Sequence, residues 1–537
     1  VAVDREYLLS MIKELVAIPS VTESAAESAP GEWLFERLSK LPYFQEHRAH
    51  LKLAETPLEG SLYKLKSLVA RVDAAKKTAR TVLLIGHYDV VDIKCYGDIA
   101  EHAFAPDRLA EIFGAGGDIL YGRGVMDMKC GVAVETALIE EFAKDRSLFD
   151  VNLVMALVGD EENASAGMRG VLPAIAAMQA EGLDFLAALN TEPGEAGQSG
   201  VVGPMVFLGT LGKLMPGFYI RGRDAHVGSC YNGFSALLAA SRLVAYAEGN
   251  PYLADPLHGV CQPSWICLDM KALRDFYSVT VPDKAYAYFN CFTTNNTPAL
   301  VMEQMRGIAA YALRQSSEQL TASYRALLAL GYEGAEFEPA EPAVYTLEEL
   351  KELARGRHGA SFDDELSRYI ETLPPGDMRA RGIKAVDFIA DRSGAEGPYI
   401  VCFFLPPWLP VRTDLTDDPR DRAAVAAARA VAEECAAKYG LKMTETELFA
   451  GLCDLSYVGA KVSDDDVRAL SENMPGWGGI YNIPLAEMQG LGLPVMNLGP
   501  SGEAPHKRDE RLHLSYSLDV LPELLKRAVR EISKRNS

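Results

Sequence analysis

The chain has 537 residues, 74 acidic and 53 basic, for a formal charge of −21, and it exceeds the about 100–200 residues of one ordinary domain. Its 48% hydrophobic and 24% charged residues suit a globular protein with a large core and exclude disorder as the main state. The acid excess argues against a nucleic-acid partner, whose phosphates would be repelled over most of the surface. No apolar run reaches the about 18–20 residues of a membrane-spanning helix, so no membrane is expected as a partner.

The nine cysteines are odd in number and form no C-x-x-C pair. Neither a thiol–zinc site nor a disulfide framework is expected, and a reducing cytoplasm suits them better. Residues 1–6 show no basic stretch followed by a long apolar run, so no secretory leader is read there.

In chain order, Leu8, Leu9, Ile12, Leu15 and Val16 form a helical stripe over 4–17, with Asp4 as its cap. Thr81–Gly86 then reads as a buried strand, Gly131–Lys144 as a helix and Val151–Val158 as a strand. Met168–Ala180 follows as a helix and Phe185–Asn190 as a strand. This alternation predicts an α/β fold with its sheet covered on both faces. After about residue 205 the pattern changes. Lys213–Arg221 alternates as a half-exposed strand does, Gly233–Glu248 is helical, Ala285–Thr294 is strand-like, and Leu300–Leu330 is a long helix. The stretch 331–397, richer in Pro, Gly and charge, gives no clear elements. Tyr399–Leu405 reads as a strand that stops at Pro406-Pro407, and from Asp417 onward α/β character resumes with Arg420–Tyr439, Pro494–Leu498 and Leu521–Ser533. The economical organisation is a domain made of 1–205 and 411–537, interrupted by a second domain over 206–410.

Chemistry-bearing residues gather after the predicted strands. His87 ends the first of these, where open α/β sheets place ligand and catalytic groups, and Asp89 follows it on the same side, able to orient the imidazole. The turn Gly122-Arg123-Gly124 leads through Asp127 into a helix; a lone Asp there reads first as a helix cap. Asp160-Glu161-Glu162 follows the next strand, and Glu192 the one after. One histidine and several carboxylates at the ends of three strands describe a site for a hard or borderline divalent metal, zinc first among them. The C-terminal segment offers a second histidine. His506, in the loop after Pro494–Leu498, is preferred over His513, which sits in an alternating segment and reads as a strand residue.

His87-Tyr88-Asp89, Gly122-Arg123-Gly124 with Asp127-Met128-Lys129, Glu161-Glu162, Glu192 and His506 with Glu510 occur in the order of the co-catalytic di-zinc metallopeptidase and aminoacylase family. The chain therefore resembles that family, which includes glutamate carboxypeptidases, acetylornithine deacetylase and dipeptidases. Arg223–Gly228 and Asn232–Ala236 resemble its lid signature. Asp127–Gly131, Tyr288–Asn290, Phe403–Pro407 and Pro500–Lys507 place it nearest the RocB-like arginine-utilisation branch. The resemblance implies a zinc exopeptidase-like domain with a mixed, mostly parallel sheet, and an inserted α+β lid that mediates dimerisation. It further implies two metal ions, zinc with cobalt or manganese as alternatives. Asp127 bridges them in this scheme, His87 and Glu192 completing one and Glu162 and His506 the other. Glu161 is then the general base, Asp89 supports the site, and His226 holds the oxyanion, crossing from the partner subunit of a homodimer in dimeric relatives. The implied reaction is hydrolysis of N-acyl amino acids or short peptides. A catalytically inactive metal- or small-molecule-binding descendant is the alternative, and the presence of Glu161 beside Glu162 weighs against it. One departure stands out: Asn290–Pro298 lacks the Arg with which many relatives clamp a substrate carboxylate.

Overall fold

The computed structural model describes residues 4–58, 63–114, 116–194, 204–274, 276–333, 343–413, 415, 418–449, 451 and 453–536. Residues 1–3 of the amino-terminal reading, part of the unassigned stretch (334–342) and Asp417 lie outside them. The chain forms two compact units. One comprises Val1–Leu211, Pro410–Lys461 and Pro484–Ser537; the other comprises Gly212–Leu409 and Val462–Ile483. Sequence reading carried 411–537 as one piece of the interrupted domain, whereas Val462–Ile483 joins the second unit. The reason is local bonding: Asn473 accepts from the Glu348 amide (3.2 Å), and the Tyr481 hydroxyl accepts from the Trp408 amide (3.2 Å).

The strands, in chain order, are β1 (Leu51–Pro57), β2 (Lys64–Val72), β3 (Arg80–His87), β4 (Ile119–Tyr121), β5 (Asn152–Val158), β6 (Asp184–Asn190), β7 (Met205–Phe207), β8 (Gly212–Arg221), β9 (Ile266–Ala272), β10 (Lys284–Thr293), β11 (Ala343–Thr346), β12 (Tyr399–Leu409), β13 (Thr444–Thr446), β14 (Val495–Asn497), β15 (Gly502–Glu503) and β16 (Arg511–His513). The first unit's main sheet runs β1-β2-β5-β3-β6-β14-β7-β13. Its centre, β5-β3-β6-β14, is parallel, while the β1–β2 hairpin is antiparallel. The chain thus folds as a mixed α/β sheet flanked by helices. Apolar, β-branched sequences such as Thr81–Ile85 suit a strand buried on both faces, and Thr81–His87 is buried throughout. Helices Arg5–Val16, Cys130–Lys144 and Leu521–Arg535 contribute their apolar faces to one continuous core with β2, β3 and β5. Parallel pairing sets the ends of β3, β5, β6 and β14 along one edge: His87 lies opposite Val158, Ile85 opposite Asn190, and Asn190 opposite Asn497.

The second unit holds a five-stranded sheet, β11-β12-β8-β10-β9. The expectation of a half-exposed strand at Lys213–Arg221 fails here, because β8 is central and nearly all of it is buried. Its two faces are both covered. Met215 and Tyr219 cluster with Leu347, Ile383 and Val386, while Phe218 meets Phe289 edge to face. The covering residues on the first face come from helices Leu347–His358 and Met378–Ser393, the stretch that the sequence left unassigned. Strand β12 also runs on through Pro406-Pro407 to Leu409, its pairing with β8 shifting register there. No helix among the described residues is long and apolar enough to cross a membrane.

Candidate metal centre

Three strand ends, one glycine-rich turn and the loop between β15 and β16 bring five side chains of the first unit together. His87 Nε2 lies 3.2 Å from Asp127 Oδ1 and 3.2 Å from Glu192 Oε1. His506 Nε2 lies 3.0 Å from Asp127 Oδ2 and 3.1 Å from Glu162 Oε1. Asp127 therefore faces one imidazole with each oxygen. In each trio, His87-Asp127-Glu192 and Asp127-Glu162-His506, the potential ligand atoms lie within 4.8 Å of one another. Glu161 stands beside them, with Oε2 3.9 Å from His87 Nε2.

Asp89 works mainly on the loop that carries the paired glutamates. Its carboxylate accepts from the amides of Glu161 (3.2 Å) and Glu162 (3.3 Å) and from the Thr22 hydroxyl (2.9 Å). The expected role behind His87 falls mostly to its backbone: Nδ1 is 3.1 Å from the Asp89 carbonyl and 3.4 Å from its carboxylate. The turn bearing Asp127 is fixed by Glu510, which accepts from Arg123 Nη1 (2.7 Å) and from the amides of Gly124 (3.1 Å) and Met126 (3.1 Å). Gly124 sits at φ 73°, a left-handed position that favours glycine. His506 itself adopts φ 62°, uncommon for a residue with a side chain, and Arg123 Nη2 donates to its carbonyl (3.2 Å). Local strain held by surrounding bonds is a frequent mark of functional sites.

Carboxylates outnumber cations at this point, and the titration of each group reflects it. Burial pushes Glu161 well up, reinforced by Glu192, Asp454 and Glu162 against the pull of His87. Burial and Asp127 hold Glu192 at about 8 despite His87. Asp127 goes the other way: burial would raise it, but hydrogen bonds from His506 and His87 win and lower it. His506 rises to about 11 through its bonds to Asp127 and Glu162. Burial works to lower His87, yet Glu192, Asp127 and Asp89 raise it overall. Among the described residues, Glu162 Oε1 and Glu192 Oε1 are buried, and each faces only an imidazole nitrogen, of His506 and His87, that also faces Asp127.

Two further histidines, the predicted His226 and the set-aside His513, belong to neither trio. His226 belongs to the second unit, where it is exposed, and its Nδ1 accepts from the Gly228 amide (3.1 Å). His513 joins neither trio; it contacts Ser501 Oγ (3.1 Å) and Glu503 Oε1 (3.3 Å). Sequence reading missed the clamp made by Glu510, although a buried Arg in a glycine turn requires an acid partner. It also missed Asp454, whose only signal is an acid inside the apolar run Leu448–Val458. Burial and Asp89 push Asp454 up to about 7, against the pull of Ser165, His87 and Arg169.

Known proteins resemble this chain in sequence and in fold. The model of peptidase family M20/M25/M40 matches residues 83–531. The protein YqjN of Bacillus subtilis (strain 168) is 31% identical, with 99% of this chain and 97% of that one covered. Protein RocB of the same organism is 26% identical, with 97% and 94% covered. In fold, a tripeptidase structure from Staphylococcus aureus aligns with a TM-score of 0.53 at 13% identity, covering 99% of this chain and 100% of the other. The order of motifs along the chain, the family model and the full-length relatives lead to one conclusion: this chain belongs to peptidase family M20/M25/M40.

Proposed function

We propose that this chain is a metal-dependent amide hydrolase acting on N-acyl amino acids or short peptides, with Glu161 as its general base. The observation that carries the reading is the sharing of Asp127 between two trios, each with one histidine and one glutamate. The donor set fits divalent ions. A single imidazole N–H cannot serve two carboxylates well, yet His87 Nε2 is 3.2 Å from both Asp127 and Glu192. A cation among these atoms would satisfy them, and a second would do the same for Asp127 and Glu162, which share His506 Nε2 at 3.0 and 3.1 Å.

His87, Asp127 and Glu192 would hold one ion, and Asp127, Glu162 and His506 the other; zinc suits this mixed N/O set, with cobalt or manganese as alternatives. When bound, such ions supply Lewis acidity and make water a better nucleophile. Glu161 takes the proton of the attacking water and returns it to the leaving amine. Asp89 keeps Glu161 in place by accepting its amide, so base and ligand loop move as one piece. His226 has its Nδ1 lone pair engaged by Gly228, which leaves Nε2–H as a donor for the developing oxyanion.

In this reading His226 is delivered by a second copy, in a homodimer. Strand β9 at the sheet edge supports it, with Ile266, Leu268 and Met270 exposed. The nine cysteines, all free thiols, support a reducing cytoplasmic setting. The test of the base is Glu161→Gln. It should retain the metal content of the wild type and lose about 10²–10⁴-fold in turnover; near-normal turnover with intact metals would remove Glu161 from the mechanism.

A further inference from the structure

Glu135 lies on helix Cys130–Lys144 beside the buried Val134, Ala137 and Leu138, and is itself wholly buried. Its Oε1 accepts from the Thr191 hydroxyl at 2.9 Å. Among the described residues its Oε2 has no hydrogen-bond partner. A carboxyl held by one hydroxyl is costlier to bury than a Leu or Met in its place. Neither ligand trio includes Glu135. The bond to Thr191 is what it offers.

The helix is shaped for that bond. Gly131 stands one turn before Glu135, on the same face. A Cβ at Gly131 would collide with the hydroxyl and carbonyl oxygens of Thr191, so only glycine lets the helix come this close. On the other side, a Cβ at Gly86 would stand 3.6 Å from Glu135 Oε2. Gly86 precedes His87, and Thr191 precedes Glu192. One carboxyl thus sits beside the residue before each of two ligands of the first trio. Thr191 faces the helix and Glu192 faces His87, so pinning the first side chain fixes the direction in which the second leaves the chain. The other ligands are held by other means: Asp89 accepts from the Glu162 amide, and Arg123 donates to the His506 carbonyl.

We propose that Glu135 is a positioning residue: through Thr191 it holds Glu192 toward His87, and so sets the affinity of the ion held by His87, Asp127 and Glu192. The assignment rests on the metal-dependent reading of the site and adds to it a residue that touches no ion.

The test is a zinc titration of chelator-stripped protein, followed by calorimetry, for wild type, Glu135→Leu, Glu135→Gln and Thr191→Val. The wild type should take up two ions. Glu135→Leu should weaken one of them about 10–100-fold, the usual effect of removing a group that orients a ligand, and leave the other unchanged. Glu135→Gln keeps an acceptor for the hydroxyl and should restore most of the affinity. Thr191→Val should match Glu135→Leu, with no further loss in the double variant, and it carries the test if Glu135→Leu misfolds. Anomalous diffraction at limiting zinc should identify the weakened ion as the one among His87, Asp127 and Glu192. Unchanged affinities in these variants, equal weakening of both ions, weakening of the other ion alone, or losses that add would overturn the proposal. In each of those cases a wild type with two ions leaves the metal reading standing, whereas a wild type that takes up no zinc would remove both.

Discussion

Two central strands, β3 in the first unit and β8 in the second, have similar burial and very different surroundings. Beside β8 the acids Asp387 and Asp391 have cations or hydroxyls: Asp391 meets Arg221 (2.9 Å) and Lys284 (3.0 Å), and Asp387 accepts from Tyr219 (2.7 Å) and pairs with Lys284 (2.6 Å). At the end of β3 the acids exceed the cations: Asp127, Glu162 and Glu192 share two imidazoles, those of His87 and His506. Evolution of a stable fold alone would pair or remove such charges. The contrast teaches that an unbalanced cluster, rather than acidity as such, locates the chemistry.

That contrast can be broken at three places. The largest effect is expected where the site's frame is cut. Arg123 and Glu510 are both buried, and Arg123→Met would leave Glu510 facing backbone amides alone. Breaking a buried pair of this kind costs about 3–5 kcal/mol, so chemical denaturation should show the first unit losing roughly that much, together with metal. An unchanged unfolding midpoint would show that the turn is held by other bonds.

A smaller effect is expected at Glu192 in metal-stripped protein. Its carboxyl is raised from an ordinary 4.5 to about 8 in the fold. The folded state therefore binds this proton more tightly than the unfolded chain, and stability falls as pH rises from about 4.5 to about 8. Glu192→Gln should flatten this part of the Tm–pH curve, and adding metal to the wild type should flatten it too. A slope identical in wild type and variant would assign it to other groups.

The smallest effect is expected in the second unit. Asp391 is 46% exposed, and its pairs with Arg221 and Lys284 are partly solvated. Asp391→Asn should cost about 1 kcal/mol or less and leave metal content and turnover unchanged. A large loss of metal on this substitution would contradict the division between paired and unbalanced acids.

Much of the site was readable in the sequence because its residues follow strands that announce themselves. Val82–Ile85, Leu153–Val158 and Phe185–Leu189 are apolar runs of the right length, and the acids and histidine come directly after them. Parallel pairing then does the convergence. What stayed hidden depends on tertiary partners. Helices Leu347–His358 and Met378–Ser393 carry many charges, so their apolar stripes are diluted, and the burial of both faces of β8 followed from them. Val462–Ile483 crosses to the second unit through contacts of Asn473 and Tyr481, which no local pattern encodes. Glu510 and Asp454 matter through what lies beside them in space, and sequence distance conceals both.

The central claim is that two ions share Asp127. Zinc-soaked crystals of the wild type, measured at the zinc absorption edge, test it most directly. The account predicts two anomalous peaks, one among His87, Asp127 and Glu192 and the other among Asp127, Glu162 and His506, both lost in Asp127→Ala. A single peak, a peak held by His513, or two full peaks in Asp127→Ala would contradict it.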